Sequence, residues 1–192
     1  MNDTFKNFPL PLGETISSFF HRELPDDTFD QNYRLFMKIL GCSFDLPLSS
    51  TKEIEPDYRA MIGLSILELG QACHQTCSKF ASWYPEVEQY FGFANEHNQK
   101  TGEYVGTFCH SFLVSKETGN LYDPQFEYLY VERFPNLAKN YYGVRLPTAL
   151  VVSLEDIMKE QVVNISGYIK NNVFDSREKT LKFIDSIKSY DS

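Results

Sequence analysis

The spacing of apolar residues predicts helices in the first third of the chain. One helix is expected over 14–23 and a second over 27–40, because large apolar side chains recur there every three or four positions. Pro56 is well placed to open a third helix, with these residues on its apolar face: Met61, Ile62, Ile66 and Leu69. Residues 1–69 are therefore expected to form a helical section.

The middle of the chain has the composition of a β-hairpin. Residues 104–114 are rich in β-branched and aromatic side chains, and a Gly-containing turn follows at 116–119. Residues 120–126 are expected to form the returning strand, with Pro124 at its end or at the sheet edge. A further strand is predicted over 144–152.

The segments around this hairpin are predicted as helices and loops. Thr76 can act as an N-cap, which would begin a helix at Cys77, and Pro85 should end that helix near Tyr84. The neighbouring stretches lack a clear period and are assigned to a short helix (85–91), a loop (94–103) and a short helix with a loop (130–143).

Two helices are predicted at the C-terminal end. Ser153 and Asp156 have the spacing of a capping box before an apolar, helix-periodic run. The last helix is expected to begin at Asp175 or Ser176, with three apolar residues facing inward: Leu181, Ile184 and Ile187.

Together these elements predict an α+β fold in a single domain over 1–192. The helical section 1–69 should precede a core over 70–152, in which one helix packs on a small antiparallel sheet, and helices over 153–192 should close the structure. A chain of 192 residues can bury such a core without disulfide or metal support.

Charge and hydropathy narrow the possible partners. The formal net charge is −8, which disfavours a phosphate backbone as a partner, so no nucleic-acid binding is expected. The chain has no apolar run of about 20 residues, so no membrane span is expected. The first residues lack the pattern of a secretory signal, which predicts a cytoplasmic protein and leaves signal-independent export open.

Three residues have the chemistry of a thiol-dependent active site. A Cys at a helix start has a lowered pKa, a His can take its proton, and a carboxylate can hold that His in position. We expect Cys77, His110 and Asp123 in these roles. If the turn consists of four residues, Phe112 lies opposite Asp123, and Asp123 becomes the diagonal neighbour of His110. A slip of one residue would put the two side chains on opposite faces.

These segments resemble the papain-like and transglutaminase-like enzymes. The segment Cys77-Ser78-Lys79-Phe80-Ala81-Ser82 is similar to their nucleophile helix, and His110 and the Leu121-Tyr122-Asp123-Pro124 segment are similar to their His and Asp strands. The order Cys, His, Asp fits that pattern, and Gln71 lies where papain-like enzymes carry an oxyanion-hole Gln. A papain-type Cys-Gly-Ser-Cys-Trp run is absent, so the resemblance is to a distant relative.

The resemblance implies a cysteine peptidase or amidase that acts on a peptide or amide bond. Its substrate would be a protein or peptide, and no organic cofactor is implied. Water as the acyl acceptor would give hydrolysis or deamidation, whereas an amine would give transglutamination. A non-catalytic interaction module that keeps the same fold is the competing class.

Other cysteines and histidines offer alternatives. Cys73 lies four residues before Cys77 and is the rival nucleophile, and His74 is expected to be an exposed polar residue. A structural zinc site could be built from Cys73, Cys77, Cys109 and His110. That site is disfavoured because Cys109 and His110 are adjacent on a predicted strand and should point to opposite faces.

Overall fold

The computed structural model describes residues 28–44, 47–58, 73–129, 136–161 and 163–190. The helices predicted over 14–23 and at 61–69 lie outside these residues, as does Gln71. The helices are α1 (Thr28–Leu40), α2 (Cys73–Trp83), α3 (Pro124–Leu129), α4 (Thr148–Ser153), α5 (Glu155–Glu160), α6 (Ile165–Asn172) and α7 (Arg177–Ser189). The strands are β1 (Cys42–Phe44), β2 (Val87–Asn98), β3 (Tyr104–Ser115), β4 (Leu121–Tyr122) and β5 (Leu137–Leu146), and a short 3-10 helix lies at Thr51–Glu53.

The five strands form one sheet in the order β1-β5-β2-β3-β4. Every neighbouring pair is antiparallel. Helix α1 precedes all five strands in sequence, and helices α4 to α7 follow β5. Helix α2 packs on β2 and β3. The predicted α+β class is therefore confirmed, and α1 and β3 lie where the pattern placed them.

Two of the longest strands were predicted as helix and loop. β2 occupies residues 87–98 and β5 occupies residues 137–146, and these two strands pair with each other over ten positions. In the middle of β2, successive side chains from Phe91 to Ala94 are all buried, because both faces of the sheet are covered. A strand buried on both faces shows no alternation of apolar and polar residues, so its sequence lacks the usual signal.

Several element ends also differ from prediction. The returning strand stops at Tyr122, and Pro124 begins helix α3 instead of lying within the strand. The strand predicted over 144–152 ends at Leu146, and Pro147 precedes helix α4. The predicted capping box is wrong, because the Ser153 hydroxyl donates to the Leu150 carbonyl at 2.7 Å. The last helix is confirmed, with Ser176 as its N-cap and with Ile184 and Ile187 buried. The inward position predicted for Leu181 is wrong, because that residue lies on the solvent side of the helix and is 38% exposed.

The main hydrophobic core lies between the sheet and the terminal helices. Aromatic rings of α1 surround Phe174, whose ring centroid is 5.0 Å from that of Tyr33 and 5.3 Å from that of Phe36. Smaller clusters cover the opposite sheet face around Phe112 and the contact between α2 and β3 around Leu113. Within the described residues, no helix is both long enough and apolar enough to cross a membrane.

Candidate active site

The β3–β4 hairpin brings His110 and Asp123 together. Ser115 donates its backbone N–H to the Asn120 carbonyl at 2.9 Å, and Leu113 pairs with Tyr122. The turn therefore consists of four residues, which is the condition on which the expected His110–Asp123 contact depended. His110 Nε2 lies 2.7 Å from Asp123 Oδ2. Both side chains are buried, so this bond is shielded from water.

Asp123 is held in place by contacts to both carboxylate oxygens. Its Oδ1 accepts the Phe126 backbone N–H at 2.9 Å, which makes Asp123 the N-cap of α3 and explains why Pro124 follows it. Its Oδ2 accepts the Tyr141 hydroxyl at 2.8 Å and lies 3.5 Å from Lys139 Nζ. The helix cap therefore leaves Oδ2 free to face His110.

Tyr141 and Lys139 were not predicted as site residues. Both come from β5, which the sequence pattern assigned to a helix and loop, so no sequence signal placed them near Asp123. The Lys139 side chain is almost completely buried and also lies 3.3 Å from Glu96 Oε1. These contacts give Asp123 Oδ2 two partners besides His110.

The pKa shifts of His110 and Asp123 follow from this geometry. Burial by itself would raise the pKa of the Asp123 carboxyl, but the charges of His110 and Lys139 and the hydrogen bonds outweigh it and hold that pKa well below its usual range. Burial would lower the pKa of His110, but the Asp123 carboxylate outweighs it and raises that pKa. The pair therefore favours an imidazolium next to a carboxylate.

The predicted start of the nucleophile helix is wrong. Helix α2 includes Cys73 to Thr76, so Thr76 lies inside the helix and does not cap it. The Thr76 hydroxyl is buried without a hydrogen-bond partner. Cys77 therefore lies in the second turn of the described helix, and Cys73 lies in the first turn.

Cys73 is the cysteine on which His110 acts electrostatically. The charges of the His74 and His110 imidazoles both act on its buried thiol. Burial would raise the pKa of this thiol, but the two imidazoles outweigh burial and hold it well below its usual value. Since His110 Nε2 is bonded to Asp123, Nδ1 is the nitrogen left to face the sulfur.

Cys77 lies in an apolar environment. Its thiol is 1% exposed and packs in a cluster that contains Phe80, Leu113 and Tyr122. Burial, followed by the negative charges of Asp123 and Cys73, raises the pKa of Cys77 well above its usual value. A thiol in this environment stays protonated at neutral pH, so the structure favours Cys73 for nucleophilic chemistry.

His74 differs from its prediction as an exposed residue. It is 6% exposed, and its Nδ1 lies 2.7 Å from Ser111 Oγ. Its Nε2 lies 3.8 Å from Cys109 Sγ. Burial would lower the pKa of His74, but the charge of Cys73 and the contacts to both thiols outweigh burial and raise it to about 10.

The geometry gives no support to the zinc alternative. Among the described residues, no group of three or more His, Cys, Asp or Glu side chains is arranged to hold a metal ion. Cys109 pairs with Phe93 and His110 pairs with Gly92 in β3, so the two neighbours point to opposite faces.

The site has the parts that thiol chemistry requires. A helix cysteine with a lowered pKa lies within electrostatic reach of an imidazole, and a buried carboxylate bonds the Nε2 atom of that imidazole. This arrangement supports a thiolate–imidazolium pair, which can attack a carbonyl and then protonate a leaving group. Comparison with known proteins found no matching family model, curated protein or solved structure.

Proposed function

We propose that this chain is a thiol-dependent acyl-transfer enzyme that acts on a peptide or amide bond. Cys73 is the nucleophile, His110 is its acid–base partner, and Asp123 orients His110. The observation that carries the proposal is that His110, whose Nε2 lies 2.7 Å from a buried carboxylate, also acts electrostatically on the Cys73 thiol. The resemblance of the His110 and Asp123 segments to those of papain-like and transglutaminase-like enzymes supports the same chemistry on a protein or peptide substrate.

The chemical steps follow from the charges. The Cys73 thiolate forms a bond to the carbonyl carbon, and the C=O electron pair moves to oxygen. When that pair returns, the C–N bond breaks, and the His110 imidazolium gives its proton to the leaving amine. Water, deprotonated by His110, then attacks the thioester and releases Cys73. An amine in place of water would complete a transglutamination.

The oxyanion stabiliser stays a prediction. Gln71 was assigned to that role because it lies six residues before Cys77, and this offset does not apply when Cys73 is the nucleophile. A donor aimed at the oxyanion contributes about 3–4 kcal/mol to the transition state in enzymes of this type. The proposal for this chain therefore rests on Cys73, His110 and Asp123.

Alkylation of the folded protein tests the nucleophile. At mildly acidic pH, iodoacetamide followed by mass-spectrometric mapping should modify Cys73 well before Cys42, whose pKa is raised to about 11 by burial. His110→Ala should reduce the preference, because the thiolate loses one of the imidazoles that lower its pKa. Cys77→Ser is the matched control and should leave Cys73 labelling unchanged.

Two results would contradict the assignment. Fast labelling of Cys77 instead of Cys73 would return the nucleophile to the position that the sequence resemblance first indicated. If Cys73 reacts no faster than a free model thiol, the chain is a non-catalytic interaction module that keeps the fold.

Peptide libraries with fluorescent leaving groups provide the direct assay for hydrolysis, using Cys73→Ala as the inactive reference.

A further inference from the structure

His74 is a second buried imidazole beside the proposed nucleophile. It follows Cys73 directly in helix α2, and its charge acts on the Cys73 thiol together with that of His110. A triad needs only one histidine to take the thiol proton. The second ring therefore has a role that the mechanism proposed above does not use.

A polar network holds the His74 ring. Gln89 is completely buried, and its Nε2 donates to Ser111 Oγ at 3.1 Å and to the His74 carbonyl at 3.2 Å. Ser78 donates to Gln89 Oε1 at 2.8 Å, which sets the orientation of the amide. Ser111 Oγ, which is 2.7 Å from His74 Nδ1, thus has Gln89 and His74 as partners.

This network directs the other ring nitrogen towards sulfur. With Nδ1 directed at Ser111, Nε2 is the His74 nitrogen that faces sulfur, and it lies 3.8 Å from Cys109 Sγ. Ser111 and His110 are neighbours in β3 and point to opposite faces, so the two imidazoles are anchored on different sides of the strand. A buried imidazolium is costly unless an anion lies next to it, and a thiolate is such an anion.

We propose that His74 is a thiolate-stabilising residue of the site: it holds the Cys73 sulfur as an anion from the Ser111 side of β3, while His110 performs proton transfer. This inference rests on the proposed function of Cys73. The surrounding titratable groups are Cys109 and His110 from β3, Cys77 from α2 and Tyr33 from α1, whose pKa is raised by burial and by Cys109. Helix α6 contributes the Ser166 hydroxyl, 4.0 Å from Cys109 Sγ.

The pH dependence of Cys73 alkylation tests the inference. Rates of iodoacetamide labelling are measured by mass spectrometry across a pH series for the full chain and for His74→Gln. The midpoint of the curve should rise in the variant by about one pKa unit, which is about a tenfold lower rate on its acidic side. The alkaline plateau should stay unchanged, whereas a merely structural defect would change the rate at every pH.

Two variants serve as controls. His97→Gln makes the same substitution in β2, outside this network, and should leave the curve unmoved. Ser111→Ala removes the Nδ1 partner, keeps the ring and should raise the midpoint by less than His74→Gln. Circular dichroism checks that each variant is folded, and if His74→Gln does not fold, the Ser111→Ala curve decides.

The outcomes separate the two proposals. If His110→Gln changes Cys73 reactivity while His74→Gln and Ser111→Ala leave the midpoint unmoved, the role of His74 is overturned and the proposed function stands. If the unmodified protein already titrates Cys73 as an ordinary thiol, the proposed function itself fails. If His74→Gln changes labelling only at Cys109, then His74 acts on the Cys109 thiol instead of the Cys73 thiol, and the inference is overturned.

Discussion

At the scale of single residues, Asp123 links local structure to the site chemistry. One oxygen caps α3 and the other bonds His110 and Tyr141, so a single carboxylate fixes both the end of the hairpin and the orientation of the imidazole. Its pKa is held well below its usual range, despite burial, by His110 and Lys139. A carboxyl with a lowered pKa stabilises the folded state at a pH above its ordinary pKa, and that stability is lost as the pH falls.

Asp123→Asn should therefore change how stability depends on pH. At neutral pH the variant should lose about 3–5 kcal/mol of unfolding free energy, because Lys139 and His110 lose their buried counter-charge. The difference from the unmodified protein should narrow as the pH falls below about 4, because Asp123 then takes up a proton in the unfolded chain while its lowered pKa keeps it ionised in the folded one. Urea denaturation at a series of pH values measures this difference.

A solvent-exposed carboxylate provides the comparison. Glu178 pairs with Lys182 on the surface of α7, and Glu178→Gln should change the unfolding free energy little at any pH. A stability difference for Asp123→Asn that stays constant down to strongly acidic pH would show that the charge of Asp123 does not stabilise the fold.

At the scale of secondary-structure elements, Gly92 lets β2 lie close to β5, next to the strand that carries His110. Gly92 in β2 pairs with His110 on one side and with Gly143 of β5 on the other. A Cβ atom on Gly92 would lie 2.6 Å from the Gly143 Cα and still closer to the Tyr142 carbonyl. The absence of a side chain at this position therefore lets β2 and β5 approach each other behind the His110 strand.

Gly92→Ala should force these strands apart. The clash is with backbone, which cannot turn aside as a side chain can, so we expect a loss of about 3 kcal/mol, at the upper end of overpacking costs. Gly119→Ala is the matched control, because its φ of +72° gives a strain of about 1–2 kcal/mol with open space around the new methyl group. Denaturant unfolding measures both costs.

The two variants should also differ in site chemistry. Selective alkylation of Cys73 should fall in Gly92→Ala, because the strands behind His110 are forced apart. It should persist in Gly119→Ala, because the burial of Leu121 and Tyr122 keeps the hairpin in register when the turn is strained. Equal losses of labelling would mean that the turn, and not burial, sets the register.

At the scale of the whole molecule, the terminal helices and the sheet share one core. Phe174, between α6 and α7, packs on Phe29, Tyr33 and Phe36 of α1. The same cluster includes Phe91 and Phe93 of β2. Helices from both ends of the described chain are thus stabilised through contacts with the strand next to β3.

Phe174→Ala should destabilise the terminal helices and the sheet together, in a single unfolding transition. The lost contacts and the resulting cavity should lower the unfolding free energy by about 3–5 kcal/mol. Urea unfolding followed by both circular dichroism and tyrosine fluorescence should give coincident curves. Tyr190→Ala, at a 43% exposed position, should change stability by less than about 0.5 kcal/mol. Separate transitions for the two signals would show that the helices unfold independently of the sheet.

Local signals in the sequence determined the hairpin, its register and two of the helices. The turn at 116–119, the apolar periodicity of α1 and the Ser176 cap each depend on residues close together in the chain. The His110–Asp123 contact followed from that register alone, because side chains on neighbouring strands are placed by counting residues from the turn.

Tertiary structure decided which cysteine meets His110 and what surrounds the site. Thr76 has the sequence of a helix cap, but its position inside α2 places Cys73 against the imidazoles and buries Cys77 among apolar side chains. The middles of β2 and β5 are buried at successive positions and carry no alternation, so the local sequence did not identify these strands or place Tyr141 and Lys139 in the site. His74 looked like a surface residue because its partners Ser111 and Gln89 are distant in sequence and meet it only in the folded chain.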